Sequence, residues 1–210
     1  MIVDAKKDIR FYCGTSGSGK SHEIKKTIEN EKRVLIFDPE GEYSNPSGKF
    51  KQAKAFTKMQ PFVEAVEKNK NGSFRFALQQ DGQKAFEFFC MVNWVLAHDV
   101  HKPISCVVDE LAGVEQSAGK AQGTWHKLLT RGRKHQINIR AGAQSPTEVS
   151  KTIMRQRSHL WVGHMTRDAD HKYIAGEVPL SFDEIKGLRP APYFDSILYE
   201  QGKEPVVNKK

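Results

Sequence analysis

The chain has 210 residues, of which 38% are hydrophobic, and this length suits one well-buried α/β domain rather than two. No apolar run approaches the roughly 18 residues needed to span a bilayer, and the N-terminus lacks the apolar centre of a signal peptide. Composition therefore argues against a membrane or secreted protein, and we expect a soluble, unexported protein with a net charge of +8.

Apolar, β-rich runs alternate with helical stretches along the chain, and this alternation predicts a parallel sheet flanked by helices. Strands are predicted at residues 9–13, 33–38, 73–79, 103–110, 137–144 and 159–165. Helices are predicted at residues 21–31, after Pro61, and at residues 84–99 and 124–135. We expect one domain over residues 1–210, with its core at residues 9–166 and with C-terminal strands, a hairpin or a tail at 167–210.

The segment GTSGSGKS, residues 14–21, matches the phosphate-binding pattern G-x-x-x-x-G-K-[ST] between a predicted strand and a predicted helix. Its glycines allow backbone N–H groups to converge on the phosphates. Lys20 would reach the β- and γ-phosphates, and the Ser21 hydroxyl would ligate Mg²⁺. These features predict an α/β fold: a P-loop NTPase domain (RecA/ASCE-like) with a mainly parallel central sheet. The predicted nucleotide-binding residues are Gly14, Thr15, Ser16, Gly17, Ser18, Gly19, Lys20 and Ser21.

Two acids, Asp109 and Glu110, end the predicted strand at residues 103–110. The carboxyl edge of such a strand lies beside the phosphates, so Asp109 would hold the Mg²⁺ shell together with Ser21. Glu110 can orient and deprotonate a water for attack on the γ-phosphate. Switch GTPases usually lack this acid and read guanine through N-K-x-D, which the sequence does not contain. The pair favours hydrolysis of ATP with Mg²⁺, and the alternative is an exposed acidic pair without a catalytic role.

Positive charge is concentrated in residues 116–167, which carry +9 and contain a single acidic residue, Glu148. The remainder of the chain carries −1. In a nucleotide-binding protein this concentration favours a nucleic-acid partner, and a solvated basic face is the alternative. The ten basic residues are Lys120, Lys127, Arg131, Arg133, Lys134, Arg140, Lys151, Arg155, Arg157 and Arg167.

Further short motifs follow the phosphate-binding loop in a recognisable order. They are FDPEGEY at residues 37–43, VVDE at 107–110, TRGRKH at 130–135 and AGAQSPTEVS at 141–150. With the loop they resemble the FtsK–HerA superfamily of DNA-pumping ATPases. A bare ATPase core of this length is similar to the genome-packaging ATPases of tailless, membrane-containing double-stranded DNA viruses. The chain departs from the usual pattern at Gln136, where Gly is common, and at Ser145, where Arg is common.

The resemblance implies roles that the residues alone leave open. Gln144 would be the polar sensor that contacts the γ-phosphate or its attacking water. Arg131 and Arg133 are candidates for the arginine finger, because a guanidinium stays charged and matches phosphate oxygens; the alternative for each is that it faces solvent or DNA. The resemblance also implies a homo-oligomeric ring, a hexamer by analogy. Such a ring would bind double-stranded DNA without sequence preference and contact capsid or portal-vertex proteins. A viral member would work in the host cytoplasm and at the packaging vertex of the virion, and any other member in the cytoplasm.

The leading function is therefore an ATP-driven double-stranded DNA translocase, a viral genome-packaging motor. One alternative is a P-loop kinase of a small nucleotide or metabolite, in which the Arg-rich segment clamps phosphate; Glu110 argues against it because this acid is placed for water. Another is a DNA-transfer ATPase of a plasmid or mobile element, or an assembly factor similar to Zot-type phage morphogenesis proteins.

Overall fold

The computed structural model describes residues 7–44, 49–115 and 119–209. Within these residues the strands are β1 (Ile9–Cys13), β2 (Arg33–Phe37), β3 (Lys54–Phe56), β4 (Phe74–Leu78), β5 (Ile104–Val108), β6 (Ile137–Ala143), β7 (His159–Val162), β8 (Ser196–Glu200) and β9 (Val206–Asn208). They form one sheet in the order β3-β4-β2-β5-β6-β1-β7-β8-β9.

The sheet is parallel from β3 through β7, and β8 and β9 add an antiparallel hairpin at the far edge. Strand β6 lies between β1 and β5, so the carboxyl ends of these three strands are adjacent. Every residue of β2 and β5 is buried, as expected for strands that helices cover on both faces. The predicted α/β fold with a mainly parallel sheet is confirmed, and the tail forms a hairpin, which was one of the alternatives expected for it.

The helices of the described residues flank this sheet. They are α1 (Lys20–Ile28), α2 (Met59–Asn69), α3 (Gln83–Val100), α4 (Gly123–Arg131), α5 (Lys151–Gln156), α6 (Asp168–Ala175) and α7 (Phe182–Lys186). Helix α2 begins before Pro61, and its first turn accommodates this proline because the N–H groups there have no helical partner. None of these helices combines the length and the apolar character that crossing a membrane requires.

The predicted helix at residues 124–135 is wrong at its end. Helix α4 ends at Arg131, and Gly132–His135 forms a short 3-10 helix. Gln136 closes this turn with a φ of 57°, a left-handed conformation that glycine adopts most readily. Here Gln136 adopts this conformation directly before β6 begins.

The sequence pattern does not predict β3, α5, α6 or α7. Strand β3 has three residues, none of them fully buried, so it is too short to show an alternation. Helix α7 does carry a local signal, since Ser181 accepts the Glu184 N–H at 3.3 Å and the Glu184 side chain accepts the Ser181 N–H at 2.8 Å. This reciprocal pair is a capping box, which the spacing S-x-x-E makes visible in the sequence.

Candidate active site

The phosphate-binding loop joins β1 to α1 at the carboxyl edge of the sheet. At its base the Gly14 N–H donates to Ala143 O at 3.3 Å. The Thr15 N–H donates to His164 O at 2.9 Å. Gly19 has a φ of 96°, which residues with a side chain rarely adopt, and α1 begins at the next residue. The N-terminus of α1, whose first N–H groups have no helical partner, therefore lies at the end of the loop and favours binding of an anion.

Asp109 follows β5 and contacts the start of α1. The Ser21 hydroxyl donates to Asp109 Oδ2 at 2.8 Å, so the two predicted metal-binding residues meet. Burial raises the pKa of Asp109, and the positive charge of Lys20 opposes this rise. Asp109 Oδ1 is buried and has no hydrogen-bond partner among the described residues. Carboxylate and hydroxyl oxygens are ligands that suit Mg²⁺, so the residues present fit this ion.

Glu110 has one carboxylate oxygen fixed and one available. Its Oε1 accepts the backbone N–H groups of Ala112 at 3.3 Å and Gln144 at 3.4 Å. Its Oε2 is buried without a hydrogen-bond partner in the part of the chain that the structure describes. Burial raises the pKa of Glu110, and the charge of Lys20 opposes this rise. A carboxylate that is oriented by one oxygen and unpaired at the other has the arrangement that a general base needs.

Gly142 in strand β6 allows the end of β5 and the Lys20 side chain to lie close to the β6 backbone. The sequence motifs do not identify this glycine. A Cβ atom on Gly142 would lie 2.3 Å from Asp109 O and 3.1 Å from Lys20 Cδ. The Leu111 N–H also donates to Gly142 O at 2.9 Å. Any larger residue would displace the lysine or separate the ends of β5 and β6. The hydrophobic pattern of a strand indicates which residues are buried but not which ones contact a neighbouring backbone. The sequence therefore does not predict that position 142 requires a glycine.

A cleft of about 860 Å³ lies at the carboxyl ends of β1, β5 and β6. Its lining includes the predicted residues Thr15, Ser16, Gly17, Gly19, Lys20, Ser21, Asp109, Glu110 and Gln144. Gly14 and Ser18 are buried beneath this lining. The structure therefore brings together the loop, the acidic pair and the sensor residue, which come from three separate segments of the chain.

The structure does not bring Arg131 and Arg133 into this cleft. Arg131 is the last residue of α4 and Arg133 lies in the 3-10 helix, so both precede β6, and both are exposed. Gln144 follows the opposite end of that seven-residue strand. At about 3.3 Å per residue, the strand separates its two ends by roughly 20 Å. Neither arginine reaches the cleft of its own chain.

The FDPEGEY motif contributes Asp38 to the lining of the cleft and places Tyr43 beside Asp109. Asp38 accepts the backbone N–H groups of Glu42 at 2.9 Å and Tyr43 at 3.0 Å, which shapes the turn. Burial raises the pKa of Asp38 to about 6. Tyr43 is buried beside Asp109, and burial together with this neighbouring carboxylate raises the pKa of its hydroxyl. The motif alone does not predict that Tyr43 lies beside Asp109, because the two residues are distant in sequence.

The basic segment does not form one continuous exposed surface. Arg140 is only 1% exposed and pairs with Asp8 at 2.6 Å. Arg157 is half-buried and pairs with Glu177 at 2.8 Å. These two arginines therefore form ion pairs within the fold. The prediction of a nucleic-acid surface then applies only to the remaining basic residues. The exposed ones are Lys120, Lys127, Arg131, Arg133, Lys134, Lys151, Arg155 and Arg167.

Comparison with known proteins gives one clear relative in sequence. The chain matches no protein-family model. Protein P9 of Pseudoalteromonas phage PM2 is 33% identical over 181 residues, which cover 85% of this chain and 78% of that protein.

Solved structures share the fold at much lower identity. The genome packaging NTPase B204 from Sulfolobus turreted icosahedral virus 2, in complex with ATP-gammaS, is 15% identical with a TM-score of 0.74, and 97% of each chain is covered. The bacterial conjugative coupling protein TrwB is 12% identical with a TM-score of 0.63, covering 98% of this chain and 86% of that one. At this identity and coverage the chain belongs to the family of protein P9 of phage PM2, and its fold and the motifs of its cleft resemble those of the FtsK–HerA superfamily of P-loop ATPases, in particular the genome-packaging ATPases of tailless, membrane-containing double-stranded DNA viruses.

Proposed function

We propose that this chain hydrolyses ATP to move double-stranded DNA and that it acts as a viral genome-packaging motor. One observation carries the proposal: Ser21 contacts Asp109 at the phosphate-binding loop, and Glu110 lies beside Gln144 in the same cleft. A loop that only binds a nucleotide has no need of the second acid. The likeness of the fold to a genome packaging NTPase in complex with ATP-gammaS supports the choice of ligand.

In this proposal the triphosphate of ATP lies along the loop, against the N-terminus of α1 and the ammonium group of Lys20. Ser21 and Asp109 would hold Mg²⁺, which neutralises phosphate charge when it is bound. Glu110 takes a proton from the attacking water through the oxygen that has no partner among the described residues. Gln144, whose side chain is exposed at the end of β6, contacts the γ-phosphate or that water.

The arginine finger is supplied by a second copy of the chain in this proposal. The support is the distance along β6, which keeps Arg131 and Arg133 from their own cleft. A homo-oligomeric ring, a hexamer by analogy, would bring one of them to the cleft of a neighbour. The exposed basic residues would contact the DNA backbone, and capsid or portal-vertex proteins would hold the ring. Its place would be the host cytoplasm and the packaging vertex of the virion.

A second candidate is a DNA-transfer ATPase of a plasmid or mobile element. The likeness of the fold to a bacterial conjugative coupling protein favours it. The two candidates share the cleft chemistry and differ in the protein to which the ring is attached.

Release of ADP and inorganic phosphate from ATP, measured with and without double-stranded DNA, tests the proposal. We expect equal amounts of ADP and phosphate, with a rate that DNA increases and that Lys20→Ala abolishes. ADP formation without free phosphate, in the presence of a small acceptor, would instead identify a kinase. Hydrolysis that DNA leaves unchanged in the assembled protein would contradict a DNA motor.

A further inference from the structure

The segment between α7 and β8 contributes to the nucleotide cleft, although it lies far from the loop in sequence. Ala191 and Phe194 both line the cleft. A Cβ atom on Gly19 would lie 3.6 Å from Phe194 Cδ1, so the phenyl ring rests against the backbone where α1 begins. Phe194 is 40% exposed. An aromatic side chain is thus presented to the cleft rather than packed fully into the core.

The backbone that carries this ring is fixed on both sides. Asp195 is fully buried and accepts from Arg189 Nε at 2.7 Å and from Arg189 Nη2 at 3.1 Å. The Asp195 N–H donates to Arg189 O at 3.1 Å, and the Phe194 N–H donates to Pro190 O at 3.1 Å. These bonds close the segment into a tight loop anchored by a bidentate ion pair.

Phe194 itself has a φ of 51°. This left-handed conformation is unfavourable for a bulky side chain and persists only where the surrounding contacts impose it. The hydrogen bonds of this segment therefore hold Phe194 in a conformation that it would rarely adopt by itself.

The order of strands separates Phe194 from the hydrolytic residues. Asp109 and Glu110 follow β5, on one side of β1, whereas Phe194 precedes β8, on the other side. Because β8 is antiparallel and Ile197 pairs with Val162 at the end of β7, its first residues lie at the same carboxyl edge. Strands β5 and β8 are four strand spacings of about 4.8 Å apart, so the end of β5 and the start of β8 are separated by roughly 19 Å across the sheet. Because Glu110, the loop and Phe194 line one cleft, a nucleoside triphosphate with its γ-phosphate at Glu110 and its β-phosphate at the loop would have room for its base on the Phe194 side.

We propose that Phe194 is the platform of a nucleobase subsite, on which the base of the bound nucleoside triphosphate stacks. This inference rests on the proposed function of the cleft and adds an explanation of its specificity for nucleoside triphosphates. A phenyl ring offers a phosphate group neither a hydrogen-bond donor nor a positive charge. Every nucleobase, in contrast, presents a π-face that stacks on an aromatic side chain. The subsite therefore selects nucleoside triphosphates over inorganic polyphosphate.

Isothermal titration with ATP and with inorganic tripolyphosphate, each with Mg²⁺, separates the base from the phosphates. We expect Phe194→Ala to weaken ATP binding about tenfold, within the range of base–aromatic stacking, and to leave tripolyphosphate binding unchanged. Phe194→Trp should retain ATP affinity, and its fluorescence should change with ATP but not with tripolyphosphate. Leu198→Ala is the matched control, because Leu198 is also 40% exposed and lies outside the cleft lining; both of its affinities should equal those of the wild type.

The outcomes distinguish this subsite from the function on which it rests. If the wild type binds both ligands and Phe194→Ala changes the two affinities equally or not at all, the subsite is refuted and the phosphate site remains. If the wild type binds neither ligand, the proposed function is refuted together with the subsite.

Discussion

Strand β6 has two functional ends that differ in what they can reach. At its carboxyl end Gln144 shares a cleft with Lys20 and Glu110. At its amino end Arg131 and Arg133 are exposed on the opposite edge of the sheet. In the proposed function the carboxyl end acts within its own chain and the amino end acts on a neighbouring copy. The proposed ATPase would then be an oligomer in which hydrolysis in one subunit depends on the position of the next.

The middle of the same strand gives a second contrast. Arg140 also belongs to the basic segment, yet its side chain is buried and paired with Asp8. Within ten residues the chain thus uses arginine for two purposes, a structural ion pair and an exposed cation. The position of each arginine, inside β6 or in the turn before it, decides which of the two purposes it serves.

The amino end of β6 should show the largest effect. We expect Arg131→Ala or Arg133→Ala to lower ATP hydrolysis by about 10³-fold or more, the usual contribution of an arginine finger. ATP affinity should not change, because neither residue lies in its own cleft. Steady-state phosphate release and nucleotide titration measure the two quantities, and Lys172→Ala, an exposed change outside the basic segment, is the control. A loss of ATP affinity in Arg131→Ala or Arg133→Ala would contradict the expectation that the amino end of β6 does not contribute to ATP binding.

The carboxyl end should respond in a different way. Glu110→Gln keeps the size of the side chain but removes the base, so turnover should fall by about 10²-fold while ATP still binds. Lys20→Ala removes a charge-assisted contact with phosphate and should weaken binding itself. Nucleotide titration of the two variants checks this difference. An equal loss of affinity in both would take the catalytic role away from Glu110.

The middle of the strand should affect stability instead of catalysis. Arg140→Ala removes the buried partner of Asp8, which keeps its ion pair with Arg10 at 2.8 Å. We expect a loss of about 2–3 kcal/mol in the free energy of unfolding, measured with urea. Lys127→Ala, an exposed change in the same basic segment, should stay within about 0.5 kcal/mol. An Arg140→Ala protein as stable as the wild type would contradict the structural role.

The same pair predicts a pH dependence. Burial alone would raise the pKa of Asp8, but the charges of Arg140 and Arg10 outweigh it and lower that pKa. A lowered carboxyl pKa contributes stability above the unfolded value of about 3.9, and this contribution is lost as the pH falls through the folded value. The difference between the wild type and Arg140→Ala should therefore shrink below about pH 3.9.

The smallest effect concerns DNA. If Lys120 contacts a phosphate, Lys120→Ala should make the plot of log affinity against log salt shallower by about 0.9. Lys203→Ala, exposed in the tail and paired with Glu200, should leave the slope unchanged. Fluorescence anisotropy with two unrelated duplexes of equal length would check both the slope and the absence of sequence preference. A slope equal to that of the wild type in Lys120→Ala would exclude Lys120 from the DNA contact.

Much of the cleft could be predicted because its chemistry is local in sequence. The loop at residues 14–21 and the acids at 109–110 each follow a strand, and parallel strands align their carboxyl ends. A pattern of apolar runs and motifs therefore suffices to place Ser21, Asp109 and Glu110 together. The sheet order, with β6 between β1 and β5, then adds Gln144.

The rest depends on contacts between distant parts of the chain. Phe194 reaches the loop only because β8 reverses direction, and no local pattern encodes that reversal. The sequence around Arg140 does not indicate that this arginine is buried. Its partner Asp8 lies 132 residues away in sequence, and only the structure shows the two side chains together. Gln136 shows the same limit, since only the backbone reveals that it adopts a conformation typical of glycine.

The most direct test of completion between subunits is to mix Glu110→Gln with the inactive arginine variant, Arg131→Ala or Arg133→Ala, at a series of ratios. Each protein alone has every one of its sites disabled, whereas a mixed assembly contains some interfaces with an intact Glu110 and an intact arginine. Light scattering confirms that the two proteins assemble together. We predict that phosphate release is partly restored in the mixtures and is greatest near equal amounts. Mixtures that assemble yet remain inactive at every ratio would contradict an arginine supplied by the neighbouring subunit.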